Sequence, residues 1–184
     1  MKNGAIVVTG VGSTDPLPLL LRDPALVLAA EPCLLHRRRL ELRIAALKCL
    51  GRADFLRFGA PARRERLYGR IRWALPAESA RWWDSGISTS HPAWPFEPDP
   101  GEFDDLKVRA NRLSVLDRGL DDALAGLPDA FADALVLEPA CGSDEGLLRL
   151  QARRVAKPGA RIVAPWTDRE AVPRFHEPLF IWSS

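Results

Sequence analysis

Gly10 and Gly12 follow a short apolar run in the stretch AIVVTGVGSTDP. A glycine pair directly after a buried strand lets the backbone turn tightly and approach a ligand closely. Glu31 closes a second apolar run, ALVLAAEP, about 20 residues further on, the spacing at which an acid meets ribose hydroxyls. A second acid, Glu138, ends the run DALVLEP. In an open α/β sheet, ligands bind at the carboxyl ends of the strands, so these three positions point to a nucleoside site. The position that would complete G-x-G-x-x-G holds Asp15. A pyrophosphate there would meet a carboxylate instead of an open helix N-terminus, which argues for a nucleoside without phosphates, such as S-adenosylmethionine. The same residues also fit a turn that only joins strand to helix, with Glu31 solvated.

The elements around these residues alternate. Ala5 to Thr9, Ala25 to Pro32, RLSVLD, Asp133 to Pro139 and ARIVAPW read as strands, and RFHEPLFIW as a final extended segment. Leu17 to Leu21 reads as a short helix with Pro16 in its first turn, and Leu34 to Cys49 as a longer one. Between residues 51 and 86 come three more helical pieces, RADFLRFG, RRERLYGRIRWAL and AESARWWD. Residues 87–101 are proline-rich and read as a loop, after which a helix starts at Glu102. LDDALAGL and DEGLLRLQARRV are further helices, the second stopped by KPG. Strands alternating with helices predict an α/β fold, a mostly parallel sheet with helices on both faces, in one domain over residues 1–184.

Composition narrows the function classes. The formal charge of +2 over 184 residues calls for neither a nucleic-acid nor an anionic membrane partner. Cys33, Cys49 and Cys141 lack metal-ligand spacing, and their odd, sparse count suits a reducing compartment. No apolar run approaches the roughly 20 residues of a membrane span. The expectation is a cytoplasmic protein acting on a small molecule; Trp94 and Trp182, if exposed, would favour a homodimer.

From Glu31 onward the order of motifs resembles the S-adenosylmethionine:diacylglycerol 3-amino-3-carboxypropyltransferases of betaine-lipid synthesis. The residues that carry the resemblance are Glu31, Glu41-Leu42-Arg43, Phe55 to Gly59, Leu67 to Pro76 and Trp82-Trp83-Asp84. It resumes at NRLSVLDRGLDDALAGLP, FADALVLEP and RVAKPGARIV. This chain departs from the pattern in having Ser13-Thr14-Asp15 after the glycines and Cys33-Leu34 after the second strand. Arg118-Gly119 stands where the family has glycine-aspartate, so the family's adenine-side acid is either missing or replaced by Asp117. Glu138-Pro139 stands where the family has serine-aspartate, and the long helical insertion after F-W-D is reduced to the proline-rich loop. Without that insertion a diacylglycerol acceptor is not expected.

The resemblance implies a Rossmann-like fold of the class I S-adenosylmethionine-dependent methyltransferase type. It also implies S-adenosylmethionine as substrate, with neither a metal nor pyridoxal phosphate. Such enzymes break the Cγ–S bond and release methylthioadenosine. A shortened member would act as a transferase to a small acceptor, or as a lyase closing the aminocarboxypropyl group on itself. The closed products are azetidine carboxylate or aminocyclopropane carboxylate. Methyl transfer and a non-catalytic nucleoside-binding role are the rival readings. Under the resemblance Gly10, Gly12, Ser13 and Thr14 line the methionine end and the nucleoside, Glu31 binds the ribose, and Glu138 holds the α-amino group. Asp15 or His36 serves as base, although beside three arginines His36 reads first as a helix-surface histidine. Tyr68 either touches substrate or is a core aromatic. Arg37 to Arg39 read as a solvated helix face, with a contact to the substrate carboxylate as the alternative, Trp82 and Trp83 as core or interface ahead of an adenine stack, and Cys33 and Cys141 as packing residues.

Overall fold

The computed structural model describes residues 3–10, 15–58, 61–86, 96–138 and 144–164. Gly12, Ser13, Thr14, Trp94, Cys141, Trp182, most of the proline-rich loop and the RFHEPLFIW segment lie outside the described residues. The chain forms two compact units. One holds residues 1–32 and 112–184, and the other, residues 33–111, is inserted in sequence between the second and third strands.

The first unit is built on five strands: β1 (Ala5–Thr9), β2 (Leu26–Ala30), β3 (Leu113–Leu116), β4 (Ala132–Val136) and β5 (Ala156–Val163). Their order is β3-β2-β1-β4-β5, and every pairing is parallel. The fold is therefore α/β with an all-parallel sheet, an order compatible with a Rossmann-like arrangement. β-branched and aliphatic residues fill β1 and β2 because a parallel strand is covered on both faces. Val7, Leu28 and Leu135 share a core with Leu120 and Leu124 of α6 (Leu120–Ala125) and with Leu148, Ala152 and Val155 of α7 (Glu145–Val155). On the opposite face Ile6, Val8, Val27, Ala29, Ala134 and Val136 are buried too. Each buried Val, Leu or Ile among them stabilises the unit by on the order of 2 kcal/mol relative to exposure.

Short polar links fix the connections. Leu17–Arg22 forms a 3-10 helix, Pro16 preceding it and Pro18 within its first turn, and Asp23 ends it in a left-handed conformation (φ 55°). Arg112 then donates to the Asp23 carboxylate and to the Pro24 carbonyl, both at 2.7 Å, tying the start of β3 to the turn before β2. Arg154 of α7 donates to the carbonyls of Leu124 and Leu127, so its cation sits on the carbonyl end of α6.

The KPG stretch does not separate α7 from a later strand. Lys157, Pro158 and Gly159 lie inside β5, whose register slips between the pairs Ala132–Ala156 and Ala134–Arg161. Gly159 has φ +80°, so a bulge on the strand next to β4 accommodates the turn residues that the sequence presents as a stop.

The second unit is helical: α1 (Leu34–Cys49), α2 (Arg52–Arg57), α3 (Pro61–Ile71), α4 (Ala77–Asp84) and α5 (Pro100–Arg109). α5 begins two residues before the expected Glu102. Asp99 accepts from the Glu102 N–H, and the Glu102 carboxylate accepts from the Asp99 N–H, a capping box with Pro100 in the first turn. Arg37 and Arg38 are buried, which corrects the reading of residues 37–39 as a solvated face. The Arg38 guanidinium donates to Glu41 (3.0 Å), Ser79 (2.7 Å) and Glu78 (3.1 Å). The Ser79 hydroxyl also contacts Glu41. Two of these partners lie on α4, so the helix's own sequence cannot announce them. Trp83 is fully buried, donates its indole N–H to the Arg38 carbonyl, and meets Trp82 edge-on at 4.5 Å. Among the described residues, no helix is long and apolar enough to cross a membrane.

Candidate functional site

Strand register brings the strand-end residues into one row. Thr9 pairs with Ala30, Ala30 with Leu116, and Val8 with Val136. One residue beyond Thr9, Ala30 and Leu116 stand Gly10, Glu31 and Asp117, and two beyond Val136 stands Glu138. Across the carboxyl edge of the sheet the row therefore runs Asp117, Glu31, Gly10, Glu138. At the usual interstrand spacing it spans about 14 Å, the length of an extended nucleoside with a side chain. The chain leaves β1 toward β2 and β3 and returns to β4 on the other side of β1. The switch point thus lies between Gly10 and Glu138, where open parallel sheets hold their ligands.

Glu31 is only 3% exposed, which removes the solvated alternative for this residue. Its N–H donates to the Leu116 carbonyl at 3.1 Å, extending the β2–β3 ladder by one residue and fixing where the side chain leaves the sheet. Burying a carboxylate is costly unless polar partners meet it, which keeps Glu31 a candidate site residue at this edge. Asp117 occupies the matching position after β3. Next to it, Arg118 reaches back along α6, and its Nη1 would lie 3.0 Å from a Cβ added to Gly126.

Gly10 has φ +71°, a left-handed conformation that disfavours any side chain. A Cβ built there would lie 2.6 Å from Cβ and 2.7 Å from Oε2 of Glu138. The space that glycine frees on this side is filled by the protein's own glutamate. Glu138 is held in turn by Thr9, whose hydroxyl accepts the Glu138 N–H at 2.9 Å and is 2% exposed. Thr9 is a candidate site residue that strand periodicity conceals: a β-branched residue ending a valine run reads as core. Its hydroxyl was the available signal.

Asp15 sits at the start of the 3-10 helix, and its Oδ1 accepts from the Leu17 N–H at 3.1 Å. The carboxylate thus satisfies a donor at the N-terminal turn that an anionic ligand would otherwise meet.

Tyr68 and His36 belong to the helical unit. His36 lies in the first turn of α1 and is half-buried. Tyr68 on α3 is buried, and its hydroxyl proton is shared between the Ala80 carbonyl at 2.9 Å and Asp84 Oδ1 at 2.8 Å. Arg72 clasps the same carboxylate through Nε at 2.7 Å and Nη2 at 2.6 Å. Desolvation pushes the Tyr68 phenol up, helped by the Asp84 carboxylate. The Arg72 hydrogen bond, then that of Tyr68, draws Asp84 down to about 2. The L-Y-x-R and W-W-D motifs thereby fold into one cluster that joins α3 to α4. Cys33 is exposed at the start of α1, so it is not packed in a core, and Cys49 is half-buried with its thiol pushed up by burial.

Compared with protein-family models, with curated proteins and with solved structures, the chain matches none of them.

Proposed function

We propose that this protein binds S-adenosylmethionine along the carboxyl edge of its sheet and breaks the Cγ–S bond of the methionine moiety. The observation that carries the reading is the row Asp117–Glu31–Gly10–Glu138 at the switch point of a parallel sheet. Glu31 binds the ribose hydroxyls as a buried acceptor after β2, and Asp117 takes the adenine side. Glu138 holds the α-amino group, and Gly10, with Gly12, Ser13 and Thr14, lines the methionine end. On this reading the fold is of the class I methyltransferase type. Asp15 or His36 is the base, and Tyr68 holds helices together.

The sulfonium is already a good leaving group, so the protein's task is to orient the chain for attack on Cγ. In transfer, an acceptor's lone pair forms the new bond to Cγ as the C–S pair leaves with methylthioadenosine, and the acceptor loses one proton. In self-closure, the deprotonated α-amine or the Cα carbanion supplies that pair, giving the azetidine or the cyclopropane amino acid. Both routes release the same nucleoside and one proton.

Incubation of the full chain with S-adenosylmethionine, followed by mass spectrometry, tests the reading. Methylthioadenosine is the expected product, and its formation without an added acceptor assigns self-closure. S-adenosylhomocysteine would instead mark methyl transfer.

A further inference from the structure

We propose that Glu138 is the specificity-determining residue of this site, its carboxylate restricting the ligand to nucleosides that carry no phosphate. The inference rests on the nucleoside reading above and adds what the site refuses. A glycine turn after the first strand of such a sheet ordinarily offers an anion two things: room beside the glycine, and N–H groups at the start of the next helix. Here carboxylates of the protein meet the first and one donor of the second. Glu138 fills the space beside Gly10, with Oε2 2.7 Å and Cδ 3.2 Å from the position of an added Cβ. Asp15 accepts from the Leu17 N–H.

Glu138 cannot swing aside through its backbone. Its N–H is bonded to the buried Thr9 hydroxyl, and the Leu137 N–H before it is bonded to the Val163 carbonyl at 2.8 Å. With the backbone held, the Glu138 carboxylate lies beside Gly10 at the switch point. Glu31 and Asp117 continue the same sign along the row. A phosphate entering it would approach one or more carboxylates, whereas uncharged adenosine, or a nucleoside whose sulfonium and ammonium outweigh its single carboxylate, would meet no net repulsion.

Titration calorimetry of the full chain at fixed ionic strength, with adenosine, ADP and S-adenosylmethionine as probes, tests this. Wild type should bind adenosine and S-adenosylmethionine, and ADP at least roughly tenfold more weakly than adenosine. Glu138→Gln keeps the shape and removes the charge, and should narrow the ADP-to-adenosine gap to about threefold or less. Asp121→Asn, an exposed acid in the first turn of α6, removes one charge away from the row and should leave the gap unchanged.

Equal binding of ADP and adenosine by wild type overturns the selectivity while leaving the nucleoside site intact. A wild-type gap that Glu138→Gln does not alter, or that Asp121→Asn narrows equally, overturns the assignment to Glu138. If neither adenosine nor S-adenosylmethionine binds, the nucleoside reading itself fails, and this inference with it.

Discussion

Gly10 and Glu138 occupy one volume: a Cβ on the glycine would fall 2.6 Å from the Cβ of the glutamate. Two strands adjacent in the sheet and over 120 residues apart in sequence are locked at their carboxyl ends by this approach. Gly10→Ala combines a left-handed backbone with the overlap and should cost about 2 kcal/mol or more of unfolding free energy in urea. Glu138→Gly in the same chain should recover part of that loss. Glu138→Ala should recover less, because the atom in conflict is its Cβ.

Removing the Tyr68 hydroxyl separates bracing from chemistry. Tyr68→Phe leaves the buried Ala80 carbonyl without this donor and should lower stability by about 1 kcal/mol, read from the urea midpoint. Because Arg72 still holds Asp84, helix content by circular dichroism should not change. If Tyr68 only braces α3 against α4, methylthioadenosine release by the folded variant should also persist.

The Tyr68–Asp84–Arg72 cluster sets a pH dependence at both ends. Asp84 is depressed on folding from 3.8 to about 2, so its stabilisation is present above pH 4 and is lost as pH falls toward 2. Tyr68 is raised above its usual 10.0, so its contribution is full below pH 10 and fades at higher pH. Asp84→Asn should flatten the acid limb of the melting-temperature profile. Asp133, held low first by Lys157 and then by the Ala5 N–H, should add to the same limb in the α/β unit.

Arg38→Met should destabilise the protein by about 3 kcal/mol in chemical denaturation, since it leaves the largely enclosed Glu41 carboxylate without its cation, with only the Ser79 hydroxyl of this cluster still donating to it. Arg38→Lys should rescue little of this. One ammonium cannot reproduce the planar fork that meets Glu41, Ser79 and Glu78 together.

Local signals located most elements. Leu34–Cys49 is a helix from its first to its last expected residue, and Ala5–Thr9 a strand with the same bounds. The D-P-G-E capping box that starts α5 was also present in the sequence, but surrounding prolines made it read as loop. Pairings across long separations were not legible. Nothing near Arg37–Arg39 announces that Glu78 and Ser79 arrive to bury Arg38. Nothing in KPG reveals that a β4 neighbour will absorb it as a bulge. At the site, Glu31 and Glu138 were legible as strand-end acids. The Gly10–Glu138 contact and the Thr9 hydroxyl were not, because both depend on β1 and β4 being neighbours.

The fate of a labelled methyl group tests the central claim most directly. S-adenosylmethionine carrying carbon-13 in its methyl group is incubated with the full chain, and the nucleoside products are weighed by mass spectrometry. Cleavage at Cγ–S predicts that the label stays on sulfur, in methylthioadenosine, and that Glu31→Ala reduces its yield. Unlabelled S-adenosylhomocysteine, or recovery of intact substrate with no binding, would contradict the account.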